Sequence, residues 1–417
     1  MEINKTAQRP PMGWNSWDCY GASVNEEQVR ANAIYMAENL KQYGWKYIIV
    51  DIQWYEPAAK SFEYNENSKL AMDEYGRLIP AVNRFPTSVG NKGFKPLADF
   101  VHSLGLKFGI HILRGIPKQA IRNNTRIKNS VHTAAEIADF GSVCEWNHDM
   151  CGIDMSCEAA QDYYNSIFEM YAEWEIDFVK VDDISRPYHR EEIEAINKAI
   201  ENCGREIVLS LSPGAASLNE AEHLGKYANM WRMTDDFWDE WHLLKKMFDY
   251  CRDWFPYVKE GHWPDCDMIP IGAIRICNDI DNKSHFTRDE QMTLMSLWAI
   301  FRSPLFFGGD MTMNDDFTLS LLQNEDIINI NRYSSYGREV YRKGNEIIWA
   351  ANGYNKYYVA VFNIGDTPLR SEFSLKYIGF DDEAKAREIW RGAVQQGDII
   401  KSEVAVHGVC LYEITSI

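Results

Sequence analysis

YIIVD at Tyr47–Asp51, LKFGIHI at Leu106–Ile112 and IVLSLS at Ile207–Ser212 are short, nearly unbroken apolar runs. A strand with one wet face alternates polar and apolar residues. Runs without alternation are strands buried on both faces, as in a parallel sheet. Further candidate strands are Met12–Trp17, Asp177–Asp182, Asn229–Met233, a short segment near Asp267–Ile269, and Pro304–Phe307. Amphipathic segments lie between them at Asn25–Tyr43, Glu158–Trp174, Arg190–Asn202, Asp239–Trp254 and Thr287–Phe301. Asn25 is a candidate N-cap with Gly44 past the helix end, and Thr287 with Glu290 forms a capping-box pattern. About eight β/α units over ~300 residues predict a (β/α)₈ TIM barrel.

Two regions depart from this rhythm. Arg114–Met155 is polar, carries GSVCEWNHDMCGID and reads as a long excursion at the catalytic end of the barrel. After Asn331, short strand-like segments appear at Glu346–Ala351, Tyr357–Asn363, Ser371–Ser374, Ala386–Trp390 and Val409–Ile414, separated by turn signals. The expected organisation is a catalytic barrel over residues 1–332 and a C-terminal antiparallel β-sandwich over 333–417.

Composition narrows the function classes. A net charge of −18 argues against nucleic acid and anionic membrane as partners, because both need clustered positive charge. No apolar run approaches the ~20 residues that span a bilayer. The start, MEINKTAQRPP, has no apolar stretch, so no secretory signal is read and a cytoplasmic location is expected. Nine scattered cysteines form no CxxC pair and no zinc-like pattern. Fourteen Trp and 22 Tyr suit stacking on sugar rings, although such residues also fill cores.

In a barrel, residues at the C-terminal ends of strands face the active site. Trp17, Asp51, Asp182, Asp236 and Asp267 occupy such positions. Retaining glycosidic cleavage needs two carboxyl groups roughly 5–5.5 Å apart, one attacking the anomeric carbon and one protonating the leaving oxygen. In FVKVDD, Lys180 and Asp182 are two apart on a strand and point to one side. They read either as a charged nucleophile with its cation or as a barrel-interior ion pair; the pattern leaves both open. In WRMTDDFWDEW, Asp239 and Glu240 fit a helix first turn. Asp236 instead follows a strand and is the candidate proton donor. In GHWPDCDMIPIG, an Asx-type turn suits Asp265 better than Asp267.

These motifs, from PPMGWNSW at Pro10–Trp17 through LWAIFRSPLFFGGD at Leu297–Asp310 and LLQNEDIININ at Leu321–Asn331, resemble glycoside hydrolase family 27, the α-galactosidases and α-N-acetylgalactosaminidases. The resemblance implies Asp182 as nucleophile, Asp236 as acid/base, and Lys180, Arg232, Asp267 and Asp51 as sugar contacts, with Trp17 as the pocket floor and Trp54 as wall. It implies no metal and no cofactor. Three departures stand out. Ile52 occupies a position where the family usually has a second Asp, which alters recognition around the axial O4. His111 replaces a Tyr and is a candidate contact to a sugar hydroxyl, with a packed, hydrogen-bonded histidine as the alternative. Ile184 replaces the Cys of a disulfide beside the nucleophile. Trp146, Asp149 or Asp154 of the excursion are candidates to replace lost contacts. Ser212 and Ala215 align with the pair that makes room for a 2-acetamido group. The expected activity is retaining release of terminal α-linked galactose from a small-molecule or glycan substrate. One alternative is release of α-linked N-acetylgalactosamine by the same two Asp. Another is a sugar-binding protein without turnover.

Overall fold

In the computed structural model, residues 6–278, 281–380 and 383–417 are described. Eight strands form one parallel sheet: β1 Met12–Asn15, β2 Tyr47–Val50, β3 Lys107–Leu113, β4 Phe178–Asp182, β5 Val208–Leu211, β6 Met230–Arg232, β7 Trp263–Asp265 and β8 Leu305–Phe307. Neighbours in sequence are neighbours in space from β1 to β7, and β1 also pairs with β8. Closure is made past the end of β7. The Ile269 amide donates to the Phe306 carbonyl at 2.7 Å, and the Gly308 amide to the Ile269 carbonyl at 3.1 Å. The expected strand near Asp267–Ile269 is therefore this bridge, and the regular strand lies at Trp263–Asp265.

Alternation along each strand divides the apolar residues between two cores. Ile48 and Val50 pack outward with the helices, whereas Tyr47 and Ile49 join Phe178, Val208, Met230, Trp263 and Phe306 inside the barrel. Gly13 and Gly109 make room for these large rings. A Cβ at Gly13 would lie 2.4 Å from the Tyr47 carbonyl oxygen, and one at Gly109 2.7 Å from the Phe178 Cβ.

The strands are followed in turn by α1 Glu26–Asn39, α2 Lys95–Ser103, α3 Glu158–Glu173, α4 Arg190–Asn202, α5 Ala221–Tyr227, α6 Trp241–Trp254, α7 Arg288–Phe301 and α8 Glu325–Tyr333. Both capping signals act. Asn25 and Gln28 exchange bonds of 3.0 Å each, and Thr287 and Glu290 exchange bonds of 3.2 and 2.8 Å. The first helix ends at Asn39 instead of Tyr43, where a 3₁₀ turn leads to Gly44 at φ 102°. Helix α6 starts at Trp241 because Asp239 is buried in an ion pair with Arg275 at 2.7 Å and accepts from the His285 amide at 2.6 Å.

The excursion after β3 folds into a small antiparallel sheet of 116–117, 138–143 and 150–153. Beyond α8, strands β9 Ser335–Lys343, β10 Glu346–Gly353, β11 Lys356–Asn363, β12 Leu369–Ser374, β13 Ala384–Glu388, β14 Val394–Gly397, β15 Ile399–Val404 and β16 Val409–Ser416 build a sandwich. Its main sheet has the order β9-β10-β11-β16-β13-β14, and β12 pairs with β15. One face of the main sheet belongs to the barrel's own core: Trp349, Phe362 and Leu411 cluster with α6 and α7. Phe248 meets Phe362 at 4.9 Å, Trp390 Nε1 donates to Ser296 at 2.9 Å, and His407 stacks on Trp241 at 3.7 Å.

A shared core predicts shared unfolding. Truncation of the fully buried Trp349 to Ala removes its contact with Phe301. It should cost ~3–5 kcal/mol and move a single denaturant transition as a whole. A two-step transition, with the barrel step unchanged, would show that the sandwich melts independently.

Candidate active site

Strand ends β1 to β4 deliver the floor of one open cavity of about 1000 Å³. Asp51 directly follows β2 and is almost fully buried. Its Oδ2 accepts from Asn15 at 2.8 Å and from Lys180 Nζ at 2.9 Å, while Oδ1 accepts from the Ile52 amide at 2.8 Å. Burial alone would raise this carboxyl's pKa. The Lys180 ammonium, the neighbouring His111 and the Ile52 amide outweigh it and hold Asp51 well below the usual carboxylate range. Burial likewise opposes the Lys180 ammonium, yet the carboxylates of Asp51, Asp182 and Asp267 raise its pKa above the usual value.

Asp182 ends β4 and lines the cavity with Lys180, as their spacing predicts. Its direct partner is not Lys180 but His111 on β3. The fully buried imidazole donates from Nε2 to Asp182 Oδ2 at 2.8 Å, the tautomer a carboxylate requires. The Asp183 amide donates to Oδ1 at 2.7 Å. Both carboxylate oxygens are thereby fixed, which sets the direction in which Asp182 faces the cavity. Arg114 pairs with Asp183 and Glu192, at 3.0 Å each, and secures the turn behind it.

Opposite, Arg232 at the end of β6 reaches two carboxylates: Asp267 at 2.7 Å and Asp236 at 3.1 Å. Asp267 Oδ2 also accepts from the Phe237 amide at 2.8 Å, which ties the loop bearing Asp236 to the end of β7. Asp236 lines the cavity and is the most open of these groups, its side chain 57% exposed. The chain is strained where it leaves the barrel. Gln53, Asp183 and Asp267 all have positive φ, 64°, 58° and 81°. Asp265 forms the expected Asx-type contact, accepting from the Asp267 amide at 3.0 Å.

Several residues expected at the site lie beside or below it. Trp54 is fully buried and donates from Nε1 to the His111 carbonyl at 2.7 Å. Ser212 is buried, with its hydroxyl 3.5 Å from Arg232 Nη1. Ala215 is half-buried; in that segment Pro213 and Gly214 line the cavity. Trp146 lines it too. Asp149 is buried against Gln53 Nε2 at 2.8 Å, and Asp154 bonds Ser156 at the surface. Phe62 and Tyr64 were not foreseen. Tyr64 stacks near Trp17 at 6.2 Å and Phe62 meets it edge-on at 5.3 Å. Ile52 also lines the cavity, only 2% exposed overall. One group of potential metal ligands among the described residues, Asp99, His102 and Glu175, lies near the opposite strand ends. It is already engaged with Lys95 and Asp177.

Burial pushes Asp265 up to about 7, with the Asp267 charge adding to it, and pushes Asp267 up to about 6. A folded-state pKa above the unfolded one means that the folded protein binds the extra proton. Stability is then lost as pH rises from the ordinary carboxylate value through the folded one. Asp265→Asn should therefore raise the Tm at pH 8 and have little effect at pH 4. A substitution that lowers Tm equally at both pH values would contradict this.

The model of the family described as alpha galactosidase A matches residues 9–154 and 150–333, and that of the alpha galactosidase C-terminal beta sandwich domain matches 343–414. Alpha-galactosidase 2 of Arabidopsis thaliana is 27% identical over 93% of this chain and 84% of its own length. A family 27 β-L-arabinopyranosidase of Geobacillus stearothermophilus is 50% identical, covering 100% of this chain and 98% of that one, with a TM-score of 0.98. A proposed α-N-acetylgalactosaminidase of Bacillus halodurans C-125 is 51% identical, with coverage of 98% and 97% and a TM-score of 0.88. With barrel and sandwich both matched, the chain belongs to glycoside hydrolase family 27.

Proposed function

We propose that the protein is a retaining exo-glycosidase that prefers terminal β-L-arabinopyranosides to α-galactosides. Asp182, held by His111 and the Asp183 amide, attacks the anomeric carbon. Asp236 protonates the departing oxygen and then takes a proton from water, which frees the sugar with its configuration retained. Asp51 and Lys180 bind ring hydroxyls, and Trp17 offers the sugar an aromatic face. Arg232 positions Asp236, with Asp267 and Ser212 holding the guanidinium.

Ile52 carries the choice of sugar. β-L-Arabinopyranose shares the ring stereochemistry of α-galactose but lacks the exocyclic hydroxymethyl group. Beside Asp51 the wall offers hydrocarbon where the family pattern has a second carboxylate. A hydroxyl buried there without a partner costs ~1–3 kcal/mol, and the pentose does not carry it. The 50% identity to a β-L-arabinopyranosidase supports the same reading. The α-galactoside remains the second reading, supported by the relative from Arabidopsis thaliana and by the retained Asp51 and Lys180.

With p-nitrophenyl glycosides, kcat/KM for β-L-arabinopyranoside should exceed that for α-galactoside by about tenfold or more, and Ile52→Asp should narrow the gap. Equal rates in the wild type, or a gap that Ile52→Asp leaves intact, would overturn the preference. Asp182→Ala should abolish turnover of both while sugar binding persists; unchanged turnover would overturn the mechanism.

A further inference from the structure

Ligand sites of roughly 300–1,000 Å³ enclose whole drug-sized molecules. At about 1000 Å³ the cavity is at the top of that range, far more than one sugar ring fills. Its floor comes from the strand ends. Its outer wall comes from the excursion, through Gly141–Val143, Glu145 and Trp146.

This wall is a built structure. Asp139 pairs with Gly152 and Val143 with Cys151, so Phe140–Ser142 bulge out between consecutive partners. Bulges next to active sites re-aim the residues they carry, and here Gly141 and Ser142 reach the cavity. The sheet beneath is tightly packed. A Cβ at Gly152 would lie 2.7 Å from the Ser142 Cβ, and one at Gly115 2.1 Å from the Cys151 carbonyl oxygen.

On this base Trp146 stands 38% exposed, with its ring 5.7 Å from that of Tyr64, which in turn stacks near Trp17. The aromatic surface thus runs without a break from the cavity floor to its mouth. Polar groups flank the outer part: the Ser142 hydroxyl, the exposed Glu145 carboxylate and the surface pair Arg186–Asp235. An aromatic face with hydrogen-bonding groups around it suits a pyranose, which presents C–H bonds on its face and hydroxyls at its edge.

We propose that the excursion builds a second sugar subsite, in which Trp146 stacks on the pyranose ring of the leaving group and the 140–142 bulge and Glu145 bind its hydroxyls. The substrate class is then a di- or oligosaccharide. This rests on the exo-glycosidase reading above and names the other half of its substrate.

A glycosyl fluoride has no leaving-group sugar and reports the catalytic end alone. Its turnover by the wild type, using the sugar the enzyme prefers, tests the exo-glycosidase reading independently. For Trp146→Ala, the ratio of kcat/KM for a disaccharide to that for the fluoride should fall at least about tenfold, equivalent to ~1.4 kcal/mol. Trp146→Phe should restore most of that ratio. A ratio within twofold of wild type in Trp146→Ala, or an equal fall in Trp146→Phe, would overturn the subsite while leaving the fluoride result to stand.

Discussion

The Lys180 ammonium is the charge on which the cavity floor depends. It lies 2.9 Å from Asp51, and the Asp182 and Asp267 carboxylates raise its pKa further. With Arg232 it faces five buried carboxyl groups, Asp18, Asp51, Asp182, Asp265 and Asp267. Two cations cannot hold five buried anions. The result is a division of states: Asp51 is held ionised, whereas burial pushes Asp18 and Asp265 toward the neutral form. The same field that keeps the cavity-lining Asp51 charged thus favours a proton on the two carboxyl groups behind it.

The scaffold makes this charge pattern durable. Each group sits at or just past a barrel strand end, and the strained turns that follow are tied by bonds between neighbours: Asp183 to Arg114, Asp267 to Phe237. The sandwich contributes from outside. Glu290 caps α7 and accepts from His407 at 2.7 Å, so the seventh β/α unit of the barrel is locked to the terminal domain. The excursion and the long loop between β2 and α2 are added to this frame, and both line the cavity.

Most of the barrel was legible because its strands are buried on both faces, and such runs announce themselves. β7 was not, since Trp263–Asp265 is three residues long and contains Pro264, a turn signal. The excursion's sheet escaped notice because Ala138–Val143 is polar, largely exposed and bulged. In the sandwich, Ser335–Lys343 and Val394–Gly397 carry little apolar pattern and were missed, as was Ile399–Val404, which alternates but follows directly on the turn at Gly397 and Asp398. At the site, the spacing in FVKVDD placed Lys180 and Asp182 on one side but not their partners. Those depend on which strands adjoin, and β3 brings His111 where Lys180 was expected. Trp17, Asp51 and Asp236 reach the cavity, while Arg232, Asp267 and Ser212 lie behind it. Phe62 and Tyr64 belong to an irregular loop with no period to read, so no sequence signal marked them.

The central claim is that Asp182 bonds to the sugar. In a 2-deoxy-2-fluoro glycosyl fluoride of the preferred sugar the 2-fluorine slows both attack and release, and the fluoride leaving group restores attack alone, so that a covalent intermediate accumulates. Peptide mass spectrometry after brief incubation should find one sugar attached to the peptide containing Asp182 and none in the Asp182→Ala protein. Hydrolysis without an adduct, or an adduct on another carboxylate, would contradict the account.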